Sequence, residues 1–235
     1  MRLFAIGDLH LSGGDDKPMD VFGPQWDRHF LRIQENWRRL VGEEDTVLIP
    51  GDISWAMQLQ AAKADLEEIG KLPGRKILCK GNHDYWWNSL TQVRYALPAG
   101  MTALQHSATD LGGAVVCGTR GWMIPTKDMP LSEQDAKICR REAERLRLGL
   151  DEARRMAGGR PLIVMTHYPP LLQGETDTVF TRLMEAYGVH TAVYGHLHGN
   201  GIQCGFTGEC RGIRYHLVSC DSIGFSPKEI FLYNY

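Results

Sequence analysis

The stretch Arg2-Leu3-Phe4-Ala5-Ile6-Gly7-Asp8-Leu9-His10 shows the pattern on which the chain is built. A short apolar run, typical of a buried β-strand, ends abruptly at polar residues. The same change from apolar to polar recurs at four later points. The polar groups there are Gly51-Asp52, Gly81-Asn82-His83-Asp84, Thr166-His167-Tyr168 and Gly195-His196-Leu197-His198. Because ligands gather outside the carboxyl ends of the strands in open α/β sheets, we expect these five groups to meet at one edge.

Eight apolar segments are predicted as strands, over residues 3–6, 46–49, 76–79, 114–117, 161–165, 191–194, 215–219 and 229–232. Segments with helical periodicity predict helices over about 26–40, 56–69, 87–95, 132–157 and 178–187. Alternation of strand and helix predicts βαβ units around a parallel sheet. Residues 201–235 are predicted as successive strands of a second sheet packed on the first, and residues 12–24 as a long loop beside the site.

Composition restricts the class of protein. Hydrophobic residues make up 43% of the 235 residues and charged residues 23%, so a single globular domain over 1–235 is expected. The net charge of -2 argues against a generally basic nucleic-acid binder. Six cysteines without a CxxC pair indicate free thiols in a reducing compartment. We find no signal peptide and no apolar segment that would span a membrane, and therefore predict a cytoplasmic protein.

The polar groups contain enough metal ligands for two ions. The candidates are Asp8, His10, Asp52, Asn82, His167, His196 and His198. A mixture of carboxylate oxygen, amide oxygen and imidazole nitrogen suits Mn, Fe, Co, Ni or Zn better than Mg or Ca. The motifs lack Cys, which argues against a purely structural zinc site. The carboxylate of Asp52 has two oxygens and can bridge two ions.

The spacing within two of these groups adds a geometric expectation. In Asp8-Leu9-His10 and in His196-Leu197-His198, one residue separates the two ligands. If these segments are extended, both side chains of each pair point the same way. Each pair can then reach neighbouring metal ions.

The ordered motifs D-x-H, G-D, G-N-H-D, H and G-H-x-H resemble the calcineurin-like metallophosphoesterase superfamily, in particular its small bacterial phosphoesterases. The matching residues run from Asp8 to His198. The resemblance implies an α/β fold, a four-layer αββα sandwich of two mixed sheets flanked by helices. It also implies that one metal is bound by Asp8, His10 and His198, and the other by Asn82, His167 and His196. Asp52 would bridge the two ions.

The predicted activity is phosphoester hydrolysis that depends on two divalent transition-metal ions, with manganese ranked first and Fe, Zn, Co and Ni as alternatives. A hydroxide that bridges the metals would attack a small or nucleotide-like phosphoester in line. The resemblance places His83 beside the phosphoryl group as the catalytic residue. An imidazole near its unperturbed pKa can protonate the leaving oxygen.

The chain departs from the superfamily pattern after the bridging aspartate. Many members read GDxxDR, but Trp55 and Ala56 occupy the last two positions here. The aspartate that would orient His83 is therefore missing, and the sequence does not show what replaces it. Protein Ser/Thr phosphatases of the superfamily become improbable. Arg120 follows a predicted strand and is a candidate substrate ligand, because a guanidinium group fits phosphate.

Several alternatives stay open from the sequence. The chain can be a phosphomonoesterase or a phosphodiesterase. It can also be a nuclease of the same superfamily, or a protein-binding scaffold that has lost catalysis. A small phosphoester is the expected partner, with no stable nucleic-acid partner and no membrane. The physiological substrate, the native metal and the oligomeric state are not indicated.

Overall fold

A computed structural model describes residues 1–13, 19–126 and 129–231. Within these ranges, five α-helices are present: α1 (His29–Leu40), α2 (Leu59–Gly70), α3 (Leu90–Ala96), α4 (Glu133–Ala157) and α5 (Val179–Tyr187). The strands are β1 (Leu3–Ala5), β2 (Thr46–Pro50), β3 (Arg75–Cys79), β4 (Met101–Leu104), β5 (Ser107–Asp110), β6 (Val115–Thr119), β7 (Leu162–Thr166), β8 (Val189–Tyr194), β9 (Gly208–Cys210), β10 (Ile213–Leu217) and β11 (Lys228–Glu229).

The strands form two mixed sheets. The first sheet has the order β11-β1-β2-β3-β4, and only β11 is antiparallel to its neighbour. The second has the order β5-β6-β7-β8-β10-β9, with the two edge strands β5 and β9 antiparallel. The central parallel strands of each sheet therefore end at a common edge.

The described apolar core has three layers, which define a four-layer αββα sandwich. One cluster lies between the first sheet and α1, α2 and α3, with Trp37 at its centre. A second lies between the second sheet and helices α4 and α5, and includes Leu146 and Phe180. The third, with Ile77 and Met165, lies between the sheets. The fold class predicted from the sequence is thus confirmed.

Helix ends follow local capping rules. The Ser132 hydroxyl accepts a hydrogen bond from the Asp135 N–H at 3.1 Å, as the sequence predicts, and so begins α4. Gly158, with φ of 55°, ends it. The helix predicted from residue 26 begins later, at His29, because Pro24–Trp26 forms a separate 3-10 helix.

Several sequence predictions need correction. The second sheet begins at β5, not after residue 201, and β11 joins the first sheet instead. Met19–Phe22, predicted as loop, is a 3-10 helix. Residues 14–18 of the predicted loop and residue 232 of the last predicted strand lie outside the described residues. All six cysteines are free, as expected, and four of them are buried. None of the described helices is long and apolar enough to cross a membrane.

Candidate metal centre

The predicted ligands lie in loops that follow five parallel strands: β1, β2, β3, β7 and β8. The loop after β1 lies along the loop after β2, where the Asp8 N–H donates to the carbonyl of Gly51 at 2.9 Å. The Gly7 N–H donates to the carbonyl of Val218 at 2.7 Å, which links the first sheet to the end of β10 in the second. The structure thereby brings all seven side chains to one edge of the sandwich.

Four of the seven ligands have a left-handed backbone. The φ angles are 58° at Asp8, 47° at His10, 50° at Asp52 and 73° at His196. The expectation that Asp8-Leu9-His10 and the segment from His196 are extended is therefore wrong. Such conformations cost roughly 1–3 kcal/mol each and are found where the surrounding structure enforces them, often at functional sites.

Two glycines are required by close packing against the carboxylates. A Cβ atom on Gly81 would overlap the Asp52 Oδ1 atom, and one on Gly195 would overlap Asp8 Oδ2. Each glycine directly precedes a candidate ligand in the sequence. Sterics therefore explain why the motifs have glycine before Asn82 and before His196, because a side chain at either glycine would displace a carboxylate.

Asn82, His167 and His196 form what we call the deep cluster. Asn82 Oδ1 lies 2.6 Å from His167 Nε2 and 2.9 Å from His196 Nδ1, and the two nitrogens are 3.2 Å apart. The other ring nitrogen of His167, Nδ1, donates to the backbone carbonyl of Pro50 at 3.0 Å. His167 is fully buried, so this bond fixes both the ring and its tautomer.

Asp8, His10 and His198 form the outer cluster. The His198 Nε2 atom lies 3.4 Å from Asp8 Oδ1 and 3.4 Å from His10 Nε2. The Nδ1 atom of His198 donates to Asp221 Oδ1 at 2.9 Å. The His198 side chain is 29% exposed, and in the deep cluster Asn82 and His196 are likewise only partly buried.

Asp52 lies between the two clusters. Its Oδ2 atom is 3.5 Å from His167 Nε2 in the deep cluster and 3.8 Å from His10 Nε2 in the outer cluster. Its Oδ1 atom accepts a hydrogen bond from the backbone N–H of His83 at 2.8 Å. One carboxylate oxygen is thus held by the chain, while the other faces both clusters.

The two clusters differ in protonation. Burial lowers the pKa of His167, and burial together with His167 lowers the pKa of His196 to about 3. Burial also opposes charge on His198, but its hydrogen bonds to Asp221 and Asp8 outweigh that effect and raise its pKa to about 10. Burial and the neighbouring carboxylates Asp84 and Asp8 raise the pKa of Asp52 well above its usual range.

The donor atoms fit divalent cations. With Nδ1 of His167 donating to a carbonyl, its Nε2 carries a lone pair that points at the oxygen of Asn82. The three acceptor atoms are His167 Nε2, Asn82 Oδ1 and His196 Nδ1, and at most one proton lies among them. A cation among them would satisfy all three. In the outer cluster, a cation would replace the proton that His198 shares with Asp8.

His83 lies beside the outer cluster. No described residue forms a hydrogen bond with its ring nitrogens. Its Nδ1 atom is buried and has no hydrogen-bond partner among the described residues. The indole of Trp55 packs against the His83 ring instead, with centroids 4.5 Å apart. The residue at the position of the missing aspartate thus contacts His83 through ring packing. Burial and His167 lower the pKa of His83, so the expectation of an unperturbed imidazole is wrong.

Arg120, the predicted substrate ligand, has partners within the protein. Its guanidinium lies 3.8 Å from the buried carboxylate of Glu142 and 4.4 Å over the ring of Trp122. Its backbone carbonyl accepts hydrogen bonds from the N–H groups of His167 and Tyr168. The residue therefore supports the loop after β7, and substrate binding by its side chain stays a prediction.

Two aspartates support the site, and of these only Asp84 was considered from the sequence, as a residue that holds its loop or caps a turn. Asp221 holds His198 and also accepts the Gly199 N–H at 3.0 Å. It follows β10 as the candidate ligands follow their own strands, and this position after a strand was the signal that could have identified it. Asp84 is fully buried and accepts backbone N–H groups from Ile53 and Gly81, so it joins the loops after β2 and β3.

Comparison with known proteins agrees with this geometry. A family model described as calcineurin-like phosphoesterase matches residues 1–200. Gene 66 protein of Mycobacterium phage D29 is 41% identical over 87 residues, a match that covers 35% of this chain and 40% of that protein. The matched part is therefore less than half of the phage protein.

Two solved structures are similar over nearly their whole length. A protein of unknown function, AQ665 from Aquifex aeolicus, has a TM-score of 0.53 at 17% identity, covering 97% of this chain and 95% of that one. The phosphopantetheinyl hydrolase PptH from Mycobacterium tuberculosis has a TM-score of 0.57 at 16% identity, with the same coverage. At these identities the similarity shows the fold alone.

The fold and the site together define a class of two-sheet α/β proteins whose polar loops converge at the carboxyl ends of their strands. Within that class, the chain belongs to the calcineurin-like phosphoesterase family. The family predicted from the sequence motifs is thus confirmed.

Proposed function

We propose that this protein is a phosphoester hydrolase that depends on two divalent metal ions. The observation that carries the proposal is the convergence of three acceptor atoms in the deep cluster, from Asn82, His167 and His196, within 2.6–3.2 Å of one another. Lone pairs this close are stable only with a cation or a proton between them. The outer cluster would bind the second ion, and Asp52 would bridge the two. Manganese is our first choice for both ions.

The residues of the chain prepare the site before substrate binds. When bound, two divalent ions would neutralise charge on the phosphoryl oxygens and lower the pKa of water toward about 7. The backbone N–H of His196 donates to both oxygens of Asp8, at 3.0 and 3.1 Å, and fixes that carboxylate. The Pro50 carbonyl and Asp221 fix the rings of His167 and His198. These bonds reduce the reorganisation needed during the reaction.

His83 is the proposed general acid, and the negative charge of a bound phosphoryl group would favour its protonated form against the effect of burial. Its ring lies next to the outer cluster, with its centroid 5.8 Å from that of His10, so it can reach the oxygen that leaves phosphorus. An imidazole that donates a proton to this oxygen typically accelerates such reactions by about 10²–10⁴. Trp55 and Asp52 hold the residue, through ring packing and through its backbone N–H.

The test combines metal content with hydrolysis. The purified protein is loaded in turn with Mn, Fe, Co, Ni and Zn, and its metal stoichiometry is measured. Hydrolysis of p-nitrophenyl phosphate, bis-p-nitrophenyl phosphate and single-stranded DNA then separates monoesterase, diesterase and nuclease activities. We expect two ions per chain and hydrolysis of one of the small esters. Two bound ions without turnover of any substrate would favour the scaffold alternative.

A matched pair of variants gives the control. His196→Ala removes a deep-cluster ligand, and His106→Ala removes an exposed histidine far from the motifs in sequence. We expect metal loss and inactivity only in the first. Equal metal content in both variants would contradict the proposed ligand set.

A further inference from the structure

A cavity of about 400 Å³ opens beside the outer cluster. His10, His83 and His198 form one side of it, so the cavity and the candidate metal centre share a wall. The other lining residues are Met19, Phe22, Gln25, Trp26, Trp55 and Gly199. Any group bound in the cavity would therefore be next to the proposed general acid.

Two indole rings fix the shape of the cavity wall. The ring of Trp55 stacks on His10 with centroids 4.8 Å apart and an interplanar angle of 22°, and its Nε1 donates to Met19 Sδ at 3.1 Å. The ring of Trp26 meets His10 edge-on at 6.1 Å and lies 5.6 Å from His198. Two indole rings of the cavity lining therefore pack against a candidate metal ligand, His10.

The rim of the cavity carries an exposed aromatic ring, that of Phe22. Phe22 is 61% exposed and makes no ring contact with any described residue. Lys, Arg, Asp and Glu are all absent from the described residues that line the cavity. Since aromatic faces stack favourably on one another, a ligand with a flat ring complements this surface best.

We propose that this cavity binds the leaving group of the substrate, and that this group carries a flat aromatic ring, either aryl or nucleobase. The inference rests on the proposed function, because the phosphoryl group must lie at the metal ligands. In hydrolysis, the oxygen of water bonds to phosphorus and the water releases one proton to solvent. The bond from phosphorus to the leaving oxygen breaks, His83 gives that oxygen a proton, and His83 then regains a proton from solvent. His83 lines the cavity, so the ring would sit on the side where the proton is needed.

One polar side chain can distinguish the two kinds of ring. The Gln25 amide lines the cavity and donates a hydrogen bond to the carbonyl of Phe22 at 3.2 Å. Its carbonyl oxygen accepts no hydrogen bond from another described residue. A nucleobase can donate to that oxygen, whereas a plain aryl ring cannot. Gln25→Ala should therefore weaken binding of nucleotides only.

The experiment compares leaving groups of matched reactivity. Benzyl phosphate and cyclohexylmethyl phosphate both release a primary alkoxide, but only the first carries a flat ring. A nucleoside 5′-monophosphate and ribose 5-phosphate form a second matched pair. Each compound is supplied as the monoester and as the methyl diester, with the manganese-loaded protein. In at least one of the two pairs, we expect kcat/KM to be about ten-fold higher for the compound with the flat ring than for its partner. This is the effect typical of stacking on one aromatic side chain.

Two neighbouring variants test the cavity itself. Phe22→Ala removes the rim ring, while Val21→Ala shortens another exposed side chain of the same 3-10 helix that does not line the cavity. We expect Phe22→Ala to raise KM about ten-fold for the ring substrates, with kcat unchanged and with no effect on ethyl phosphate. Val21→Ala should behave as the unmodified protein.

Binding without turnover provides an independent measurement. Benzylphosphonate and methylphosphonate are titrated calorimetrically into both variants and the unmodified protein. Equal affinity for both phosphonates, unchanged by Phe22→Ala, would overturn the cavity proposal even if the esters are hydrolysed. Tighter binding of benzylphosphonate that depends on Phe22 would support it. That second result, obtained with no ester hydrolysed under any metal, would refute the hydrolase proposal and leave only the binding of a flat ring by the cavity.

Discussion

The deep cluster and the outer cluster use similar ligand types, but they differ in how their histidines are held. His167 donates to a backbone carbonyl, that of Pro50, in a fully buried setting. His198 donates to a side chain, the carboxylate of Asp221, at a half-buried position. Burial lowers the pKa of His167, whereas the two carboxylates raise that of His198 to about 10 against the effect of burial.

This difference has a consequence for metal binding. Neutral imidazoles in the deep cluster can accept a cation at pH 7 without losing a proton. The outer cluster must first release the proton of His198. We therefore expect the deep cluster to bind its ion more tightly at neutral pH, and the outer cluster to gain affinity as the pH rises.

The largest effect is expected where the two clusters meet. Asp52→Asn keeps the shape of the side chain but removes the charge that faces both clusters. We expect turnover to fall by at least about 10³, since a loss of several kcal/mol in charge stabilisation is at stake. Metal analysis should show less than two ions per chain. Glu67→Gln, on the exposed face of α2, is the control for loss of a carboxylate. Full metal content in Asp52→Asn would argue against a bridging role.

His83→Ala should affect catalysis while leaving both clusters intact. We expect a fall in turnover of about 10²–10⁴, the usual contribution of a general acid. Both ions should stay bound, because the ring of His83 belongs to neither cluster and only its backbone N–H contacts Asp52. Steady-state kinetics and metal analysis measure the two effects separately. Metal loss as large as that of Asp52→Asn would contradict the role given to His83.

Asp221→Asn should change the metal affinity of one cluster and not of the other. The amide can still accept a hydrogen bond from His198, but the charge that favours it is lost. We expect the outer cluster to bind its ion about 10–100-fold more weakly, as is typical when a partner of a metal-bound histidine is changed. The affinity of the deep cluster should not change. Calorimetric titration with manganese resolves the two steps. Equal weakening of both would show that the clusters are not independent.

The smallest expected effect is the number of protons that the protein releases when manganese binds. The pKa of His198 is higher in the folded protein than in the unfolded chain, so the positive charge of its ring stabilises the metal-free fold. This stabilisation is complete below about pH 6.5 and is lost as the pH rises toward 10. Manganese binding at pH 8 should therefore release at least one proton per chain, seen as a dependence of the binding heat on the ionisation enthalpy of the buffer. Asp221→Asn should release fewer. A binding heat independent of the buffer would exclude a protonated His198.

The sequence was most informative where strands are buried on both faces. β2 and β7 read as continuous apolar runs and were predicted to within one residue at each end. β5, with the sequence Ser-Ala-Thr-Asp, has only half-buried side chains, and β9 has just three residues. Neither carries an apolar pattern, so the edges of the second sheet were missed. The single-domain organisation, the cytoplasmic location and the roles of the ligands stay predictions.

The sequence by itself determined the family and the identity of the seven candidate ligands, because each lies directly after a strand and the strand order fixes their common edge. Only the tertiary structure decided how they face one another. The left-handed backbone at Asp8 and Asp52, the support of His198 by Asp221 and the aromatic cavity around Trp55 all depend on contacts between residues far apart in the chain. Local sequence patterns do not encode such contacts, since packing between the loops enforces them.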